Sequence, residues 1–219
     1  MISIIIPTYN ERETIKDLIY KIYALNFKNY EIIIVDDSYD NTAEIARKIL
    51  KKLKIKAKVI KREKRLGKGS AIREGLKNSK GKYLVLIDAD LEYPVEKIPK
   101  IVEKLKKYDI VLTKRFKKCN FSRKLFGYFF KFLIFLFFRI KEDTQSGLKG
   151  LRREVINKVL FNLNYWFWDV EMILRAKKAK LKICSLPIVY KEREKGKSKI
   201  DLKSLILSFK EFLNLWKLI

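Results

Sequence analysis

Apolar and polar positions alternate along the first half of the chain with two different periods. Five short segments rich in β-branched residues are predicted as strands: Ile2–Ile6, Glu31–Val35, Lys56–Ile60, Tyr83–Ile87 and Asp109–Thr113. Four amphipathic segments with helical spacing lie between or beside them: Thr14–Leu25, Thr42–Leu53, Gly69–Lys77 and Pro94–Lys107. This alternation predicts βαβ units and an α/β fold with a mainly parallel, doubly wound sheet flanked by helices.

The regular alternation stops after residue 113. The later segments are a basic stretch, an aromatic-rich run, a polar turn, a strand, a helix, a strand and an amphipathic helix: Lys114–Lys124, Leu125–Phe138, Glu142–Gly147, Leu148–Arg153, Asp169–Lys178, Leu181–Tyr190 and Leu202–Trp216. No internal repeat or flexible linker separates the two halves. We therefore expect one domain over residues 1–219, with a regular first half, residues 1–113, and a less regular second half, residues 114–219.

Composition narrows the possible functions. The 219 residues are 48% apolar and 35% charged, which is typical of a globular protein and excludes a disordered chain. Two cysteines without spacing partners and no histidine exclude a disulfide framework, zinc chemistry and a histidine-based triad. Residues 1–110 carry 25 basic and 16 acidic side chains, whereas residues 111–219 carry 26 and 9. The basic second half attracts phosphate groups, whether in nucleic acids, anionic membranes or phosphorylated substrates.

Polar residues follow three of the predicted strands directly. They are Pro7–Glu11 after the first strand, Asp36–Ser38 after the second and Asp88–Asp90 after the fourth. Ligands of open α/β sheets bind beyond the carboxyl ends of the strands, so these residues form the candidate site. Helix caps and turns explain part of the pattern. Carboxylates from separate strands repel one another, however, unless a cation or donors offset them, and we expect them to meet around one cation.

Asp88 and Asp90 form an Asp-x-Asp turn at the end of an apolar strand. Hard cations such as Mg²⁺ and Mn²⁺ prefer oxygen ligands, and Mg²⁺ typically takes one or two carboxylates together with substrate phosphates. The pair therefore predicts a divalent cation that bridges a diphosphate. Glu92, two residues further on, is a candidate third ligand.

Two glycines and a lysine open the third predicted helix at Gly67–Ser70. Free backbone N–H groups at a helix N-terminus bind anions, and Lys68 adds a positive charge beside them. A tight turn with a helix cap explains the same glycines equally well. The Walker spacing is absent and no G-x-G-x-x-G follows the first strand, which disfavours a kinase or a dinucleotide-binding protein.

Several motifs, in a fixed order from residue 2 to about residue 200, resemble those of a known family. They are Ser3–Glu11, Val35–Ser38 with Asp40 and Thr42, Gly67–Gly69, Asp88–Asp90 with Pro94, and Ser146–Gly147. Together they resemble the family-two inverting glycosyltransferases of the GT-A fold, and within them the polyprenyl (dolichyl) phosphate hexose synthases. The resemblance implies a Rossmann-like, mostly parallel mixed sheet and Mg²⁺ or Mn²⁺ as cofactor. It also implies transfer of a hexose from a nucleoside diphosphate sugar to a polyprenyl phosphate, with inversion. On this resemblance, residues 1–113 would bind the nucleotide sugar, and residues 114–219 would bind the acceptor and face the membrane.

The same resemblance implies roles for individual residues. The positions that match nucleotide-binding residues are Pro7, Tyr9, Glu11 and Asp37. Those that match metal and diphosphate ligands are Asp88 and Asp90, whereas Glu92 stands where mannose synthases often carry glutamine. Those that match contacts to the lipid phosphate are Arg115 and Arg123. Those that match a loop near the same phosphate are Arg193, Ser198 and Lys199.

Two further motifs bear on the donor and the chemistry. DTQSGLK at Asp143–Lys149 and FWDVE at Phe167–Glu171 resemble the dolichyl-phosphate glucose synthase branch, which favours a UDP-sugar over GDP-mannose. Asp143 or Glu171 is expected either to orient a sugar hydroxyl or to be a buried carboxylate that accepts hydrogen bonds from backbone amides. A phosphate monoester is largely ionised near neutral pH, since its second pKa is about 6, and needs no strong base. Catalysis would then be electrostatic and positional, with Asp90 and the arginines as the main contributors.

The aromatic run Leu125–Phe138 and one face of the Leu202–Trp216 helix predict either membrane contact or ordinary core packing. As a helix the aromatic run spans about 21 Å, too short for a hydrocarbon core of about 30 Å. The ring-bearing and basic positions involved are Phe126, Phe129, Phe130, Phe137, Lys124, Lys131, Arg139, Lys203, Lys210 and Lys217. We expect no secretory signal, because the apolar opening ends at Pro7. The expected location is therefore the cytoplasmic face of a membrane, with peripheral attachment to anionic lipids.

Two other functions explain parts of the sequence. A glycosyltransferase that adds sugar to a saccharide hydroxyl needs a base, for which Asp143 and Glu171 are the candidates. A basic nucleic-acid-binding module would explain the net charge of +26. The basic residues are scattered and form no known reading motif, so no specific nucleic-acid partner is expected.

Overall fold

The computed structural model of the chain describes residues 1–117 and 132–190, together with residues 207, 208, 210–213 and 215. The strands are β1 Ile2–Thr8, β2 Tyr30–Asp36, β3 Ala57–Lys61, β4 Tyr83–Ile87, β5 Ile110–Lys117, β6 Leu148–Arg152 and β7 Ile183–Tyr190. The helices are α1 Ile15–Tyr23, α2 Thr42–Lys52, α3 Lys68–Asn78, α4 Ile98–Lys104, α5 at residues 132–138, α6 Ile156–Val159 and α7 Trp168–Lys178. Short 3₁₀ turns, Val95–Lys97 and Arg153–Val155, precede α4 and α6.

The strands of the described residues form one sheet in the order β3-β2-β1-β4-β6-β5-β7. Neighbouring strands are parallel except around β6, which is antiparallel to both β4 and β5. The predicted mostly parallel mixed sheet with flanking helices is therefore confirmed. The predicted strand Tyr83–Ile87 has the observed bounds, and the other strands differ from their predicted bounds mainly at their ends.

One helix prediction is wrong at its start. The segment predicted as a single helix from Pro94 to Lys107 forms a 3₁₀ turn first, and the α-helix runs only from Ile98 to Lys104. Pro99 has no backbone N–H to donate to the carbonyl four residues earlier, and its ring restricts the residue before it. A continuous α-helix from Pro94 is therefore disfavoured.

Strand β1 contributes side chains to two cores, one on each face of the sheet. Ile4 and Ile6 belong to the core that includes residues of α1, α2 and α4, whereas Ile5 belongs to the core that includes residues of α3 and α7. Successive residues of a strand point to opposite faces, so a strand covered by helices on both sides is apolar at nearly every position. Ser3, one of two polar residues in β1, donates a hydrogen bond of 2.6 Å to Glu31.

Strand β6 runs against its neighbours, and this direction shapes the site. Leu148 at its start pairs with Ile87 at the end of β4. Lys149 lies opposite Leu86 on one side and Leu112 on the other. The turn that leads into β6 therefore lies at the carboxyl edge of the parallel strands, where the sequence pattern placed the polar residues.

Helix α5 is partly core and partly surface. Phe138 is buried, whereas Phe132 and Leu136 are 57% and 51% exposed. Core packing therefore holds for Phe138, and membrane contact of the exposed side chains stays a prediction. Within residues 1–117, 132–190 and the described C-terminal positions, every helix is too short or too polar to span a bilayer. The predicted membrane-facing residues outside the described part of the chain are Phe126, Phe129, Phe130, Lys124, Lys131, Lys203 and Lys217.

The described C-terminal residues pack on α5 and on the segment before α7. The Phe212 ring lies 5.3–5.5 Å, centroid to centroid, from the rings of Phe137, Phe138 and Phe167. Leu215 is fully buried in the same core. This end of the amphipathic C-terminal segment therefore belongs to the core, while Lys210 on it is exposed.

Candidate active site

The residues that follow β1 and β2 are tied into one unit by side-chain hydrogen bonds. The Thr8 hydroxyl donates to Asp36 at 2.6 Å, and the backbone N–H of Asn10 donates to the Ser38 hydroxyl at 2.7 Å. The Asn10 side chain in turn accepts from the N–H of Tyr39 at 2.9 Å. Asn10 has a φ of +54°, in the left-handed region that asparagine tolerates better than most residues. The carboxyl ends of the two strands are thus held together.

The predicted nucleotide-binding residues lie on this unit. Pro7 is part of β1, and the Asp37 N–H donates to the Thr8 carbonyl at 3.0 Å. The Glu11 N–H donates to the Thr42 hydroxyl at the start of α2, at 2.9 Å. Loop residues after β1 are therefore anchored to both β2 and α2, as a rigid binding edge requires.

Tyr9 lies on the same edge, in contact with a second aromatic ring and with an arginine side chain. The Tyr39 ring meets it edge-on with centroids 6.1 Å apart, and the Arg65 guanidinium lies 4.1 Å from its centroid. Tyr39 is 73% exposed, so the cluster opens to solvent. Rings and guanidinium groups of this kind stack on nucleobases. Arg65 was not predicted as a site residue, because a basic residue in a basic loop gives no distinguishing signal.

The two carboxylates at the end of β2 have their own cations. The Lys61 ammonium lies 3.0 Å from the fully buried Asp36. Arg62 binds Asp37 with two hydrogen bonds of 2.5 and 2.6 Å, and the Leu66 N–H adds a third at 3.1 Å. The expectation that these carboxylates share one cation with the later pair is therefore wrong. Both cations come from the end of β3, which lies beside β2 in the sheet.

Asp88 lies between a lysine and a glycine. The Lys68 ammonium is 2.7 Å from its carboxylate, and the Asp88 N–H donates to the Gly147 carbonyl at 3.1 Å. The two charged side chains are 19% and 38% exposed, respectively, for Asp88 and Lys68. Burial alone would lower the pKa of Lys68, but the Asp88 carboxylate outweighs it and raises that pKa above its usual value. A Cβ at position 147 would overlap the Asp88 carboxylate, so glycine at this position allows the carboxylate to lie against the turn.

Glu92 is turned towards β7. Its N–H donates to Asp90 at 3.2 Å, in a turn where Leu91 has a φ of +62°. Its carboxylate accepts a hydrogen bond from the Tyr190 hydroxyl. Burial and this hydrogen bond raise the pKa of Tyr190, so its hydroxyl stays protonated. In the described part of the chain no three acidic, cysteine or histidine side chains cluster as a ready metal site.

The chemistry of the 88–90 turn nonetheless suits a hard divalent cation. Asp88 and Asp90 supply carboxylate oxygens from one turn, and both side chains are partly exposed. Mg²⁺ needs only one or two protein carboxylates when substrate phosphates complete its shell. The ammonium beside Asp88 indicates that this carboxylate already neutralises a positive charge. Asp88 and Asp90 are thus the residues that would hold Mg²⁺ or Mn²⁺.

The glycines at the start of α3 serve close packing. The N–H groups of Gly69 and Ser70 both donate to the Asn164 carbonyl, at 2.7 and 3.4 Å. Gly67 has a φ of +93°, which other residues rarely adopt, and a Cβ there would overlap the same carbonyl. The prediction that these N–H groups are free to bind an anion is therefore wrong. Lys68, between the glycines, still points its charge into the site.

Arg115 and Asp143 form a bidentate pair. The Nε and Nη2 atoms of Arg115 donate to Asp143 at 2.9 and 2.8 Å, and the Arg115 N–H also donates to it at 3.2 Å. Burial alone would lower the pKa of Arg115, but the hydrogen bonds to Asp143 keep it above its usual value. The other predicted phosphate-binding residues lie outside the described residues: Arg123, Arg193, Ser198 and Lys199.

Glu171 matches the second of its two expected roles. Its buried carboxylate accepts hydrogen bonds from the N–H groups of Asn162 and Leu163, at 2.9 and 3.0 Å. Arg175, one turn further along α7, lies 2.7 Å away. Glu171 therefore fastens the 162–163 backbone to α7.

Lys149 and Asp169 form a buried ion pair that was not predicted from the sequence. The ammonium and carboxylate are 3.6 Å apart and the two residues are 1% and 4% exposed. Burial lowers the pKa of Lys149 to about 8 and raises the pKa of Asp169 to about 6. The signal that could have revealed the pair is a lysine in a predicted strand, in a sheet whose two faces are covered by helices.

Comparisons with known proteins identify the family. Residues 3–160 match the profile of glycosyl transferase family 2. This match covers well over half of the chain. The chain belongs to glycosyl transferase family 2. The edge that carries Asp88 and Asp90 is therefore the candidate active site of a glycosyltransferase.

Curated relatives narrow the resemblance. The chain is 36% identical to dolichol-phosphate mannosyltransferase of Pyrococcus furiosus, over 99% of this chain and 64% of that protein. It is 30% identical to dolichyl-phosphate beta-glucosyltransferase of Saccharomyces cerevisiae, over 93% of this chain and 71% of that protein. The predicted resemblance to polyprenyl phosphate hexose synthases is confirmed, although the chain spans slightly less than two thirds of the Pyrococcus relative.

Solved structures bear out the fold. Glucosyl-3-phosphoglycerate synthase from Mycobacterium tuberculosis, crystallised with Mn²⁺, uridine diphosphate and phosphoglyceric acid, superposes with a TM-score of 0.76. The match covers 99% of this chain and 78% of that one at 20% identity. The predicted GT-A fold is therefore confirmed.

Proposed function

We propose that this family 2 glycosyltransferase transfers a hexose from a nucleoside diphosphate sugar to a polyprenyl phosphate of the dolichyl type, with a divalent cation and with inversion. The relatives from Pyrococcus and yeast are named for dolichyl phosphate sugars, one for mannose and one for glucose. The DTQSGLK and FWDVE motifs favour the glucose branch and hence a UDP-sugar donor over GDP-mannose.

The observation that carries the proposal is the five-residue segment Asp143–Gly147. At one end, Asp143 holds the Arg115 guanidinium. At the other end, the Gly147 carbonyl accepts the Asp88 N–H and its Cα lies against the Asp88 carboxylate. One short segment thus sets an acidic turn for a metal–diphosphate group beside an arginine for a second phosphate.

The reaction then needs few protein groups. An ionised phosphate oxygen of the acceptor forms a bond to the anomeric carbon while the bond from that carbon to the nucleoside diphosphate breaks on the opposite face. The bond electrons leave with the diphosphate, and the phosphate nucleophile carries no proton that must be removed. A bound cation would neutralise charge on the leaving diphosphate. Lys68 adds positive charge on the same side, and Arg115 holds the acceptor phosphate against repulsion from the carboxylates.

The partners of Asp143 and Glu171 favour a phosphate acceptor over a saccharide hydroxyl. A hydroxyl nucleophile needs a general base that can accept its proton. Asp143 is bound in bidentate fashion by Arg115, and Glu171 accepts two backbone hydrogen bonds and one from Arg175. The oxygens of both carboxylates are thus already engaged by these donors. Neither candidate base is well placed for the saccharide alternative.

The remaining parts of the proposal concern the whole chain. We propose that residues 1–219 act as one domain, with the nucleotide on residues 1–113 and the acceptor on residues 114–219. Exposed side chains on α5, such as Phe132 and Leu136, and the exposed Arg139 directly after it support peripheral contact with an anionic membrane at its cytoplasmic face. The same contact would bring the enzyme to a lipid acceptor.

A transfer assay tests the function. Purified protein is incubated with Mn²⁺, a polyprenyl phosphate in mixed micelles, and radiolabelled UDP-glucose or GDP-mannose in parallel. Label in the organic extract with either donor supports the proposal and identifies the sugar. Label confined to water-soluble saccharide would favour the alternative acceptor. Sequence-selective RNA binding that survives Asp88→Ala, without any transfer, would favour a nucleic-acid module.

A further inference from the structure

Lys149 and Asp169 form a buried ion pair beneath the candidate site. The lysine projects from β6 and the aspartate stands in the first turn of α7, where its carboxylate accepts the Val170 N–H at 2.8 Å. The Lys149 ammonium also lies 5.0 Å from the centroid of the Trp168 ring. Neither charge reaches solvent to any extent, since the side chains are 2% and 5% exposed.

Stability alone is a poor reason for such a pair. Removing two charges from water costs more than their mutual attraction commonly returns, and an apolar pair of similar volume often stabilises a protein as well or better. Lys149 lies across from Leu86 and Leu112 in the middle of the sheet, where an apolar side chain would pack. A role other than stability therefore accounts better for the two charges.

The lysine leads directly to the 88–90 turn. Its ammonium donates a hydrogen bond to the Ser146 carbonyl, and the Ser146 hydroxyl is bonded to Thr113 of β5. The next residue, Gly147, accepts the Asp88 N–H and lies against the Asp88 carboxylate. Lys149 therefore fixes the backbone against which Asp88 rests.

The aspartate reaches the same carboxylate by another route. Its negative charge attracts the Lys68 ammonium, which is bonded to Asp88 at 2.7 Å. Its neighbour Trp168 packs so closely on Gly69 that a Cβ at that glycine would be 2.7 Å from the tryptophan Cβ. The start of α7 thus fixes the start of α3, and with it Lys68.

We propose that Lys149 and Asp169 are positioning residues that hold Asp88 and Lys68 in the geometry for a metal–nucleoside diphosphate group. The inference rests on the proposed function of the site, because it assigns the pair to donor binding. Outer groups that orient a metal ligand typically change affinity or activity by about 10- to 100-fold when removed. The pair acts through Ser146, Gly147 and Lys68 and need not touch substrate.

The test uses the neutral double variant Lys149→Met/Asp169→Asn of the full chain. It leaves no buried charge unpaired and keeps an acceptor for the Val170 N–H, so we expect it to fold, with a thermal transition near that of wild type. UDP and GDP binding in Mn²⁺ is measured by titration calorimetry, together with the donor KM and kcat. We expect nucleotide affinity about tenfold weaker or more, at the low end of the range for such groups, with a raised donor KM and an unchanged KM for the acceptor.

A matched control lies at the other end of β6. Arg152 and Asp109 form a 3.7 Å ion pair there, far along the strand from the site. We expect Arg152→Met/Asp109→Asn to lower stability without changing nucleotide affinity. Lys149→Arg keeps a cation beside Asp169. We therefore expect this variant to lose less nucleotide affinity than Lys149→Met/Asp169→Asn.

The outcomes separate the two proposals. A folded Lys149→Met/Asp169→Asn protein that binds nucleotide as wild type does would overturn the positioning role, whatever the transfer assay gives. Wild type that binds nucleotide with Mn²⁺ but labels no polyprenyl phosphate would overturn the acceptor while the binding comparison still tests the pair. Wild type that binds neither nucleotide would overturn both.

Discussion

Two pairs of aspartates at the ends of parallel strands look alike in sequence and differ in the fold. Asp36 is the last residue of β2 and Asp37 follows it, and their side chains are 0% and 5% exposed. Asp88 and Asp90 follow β4, and the Asp88 side chain is 19% exposed. The β2 pair is fixed by Lys61, Arg62 and hydroxyl groups, whereas Asp88 is held by one half-exposed lysine.

This difference in burial and in partners indicates different roles for the two aspartate pairs. A buried bidentate arginine is not exchanged for a metal ion without leaving a buried charge unpaired. Asp88 bonds to Lys68 through one carboxylate oxygen and both side chains are partly exposed, so a cation can join the site while Lys68 stays beside Asp88. We therefore propose that the β2 pair supports the nucleotide edge and that the β4 pair is the one available to a cation and a diphosphate.

Breaking the β2 pair should have the largest effect, on stability. Asp37→Asn leaves the Arg62 guanidinium buried without its counter-charge, which we expect to lower the free energy of unfolding by about 3–5 kcal/mol. Urea denaturation measures the change. Glu44→Gln, in the exposed Arg47–Glu44 pair, is the control and should cost about 0.5 kcal/mol or less. Equal losses of unfolding free energy in the two variants would contradict the expected difference between buried and exposed ion pairs.

Breaking the β4 pair should abolish catalysis and spare the fold. Asp90→Ala removes a proposed metal ligand, and we expect sugar transfer to fall by about 10²–10³-fold or more. The thermal transition should stay close to that of wild type, because Asp90 is partly exposed. Activity is measured with saturating donor and Mn²⁺, and EDTA should reduce wild type to the level of the variant. Wild-type turnover in Asp90→Ala would refute the metal assignment.

A single methyl group should sharpen the comparison further. In Gly147→Ala the new Cβ overlaps the Asp88 carboxylate and must displace it, so we expect donor affinity to fall by about tenfold or more. In Gly150→Ala the new Cβ overlaps Ile101 in the core instead. The control should therefore lose stability and keep its nucleotide affinity per folded molecule. Calorimetric titration with UDP and Mn²⁺ distinguishes the two, and a reversed result would place Asp88 outside the donor site.

The smallest effect is expected at the exposed rim of the nucleotide edge. Arg65→Ala removes the guanidinium 4.1 Å from the Tyr9 ring, an interaction worth about 0.5–1 kcal/mol at an exposed position. We expect nucleotide affinity to fall about two- to fivefold, without a change in acceptor KM. Lys64→Ala, an exposed neighbour in the same loop, controls for the loss of one positive charge. An equal loss in both variants would attribute the effect to net charge.

The amino-acid sequence determined the alternation of strands and helices and the positions where strands end. Ile2–Ile6 and Tyr83–Ile87 are apolar at nearly every position because helices cover both faces, and this burial leaves a readable period. It also placed Asp88 and Asp90 at the ligand-binding edge, since that edge follows from strand direction. These features depend on neighbours that are close in the chain.

Only the tertiary structure decided which charges meet. Asp37 pairs with Arg62, Asp143 with Arg115, and Asp169 with Lys149, across separations that no local period records. Gly67 and Gly69 have a role only because the backbone at Asn164 packs against them. Burial is visible in the pattern of apolar residues along the chain. An ion pair depends instead on the order and direction of strands that lie far apart in the sequence. For this reason the sequence located the site but did not show which charged side chains pair within it.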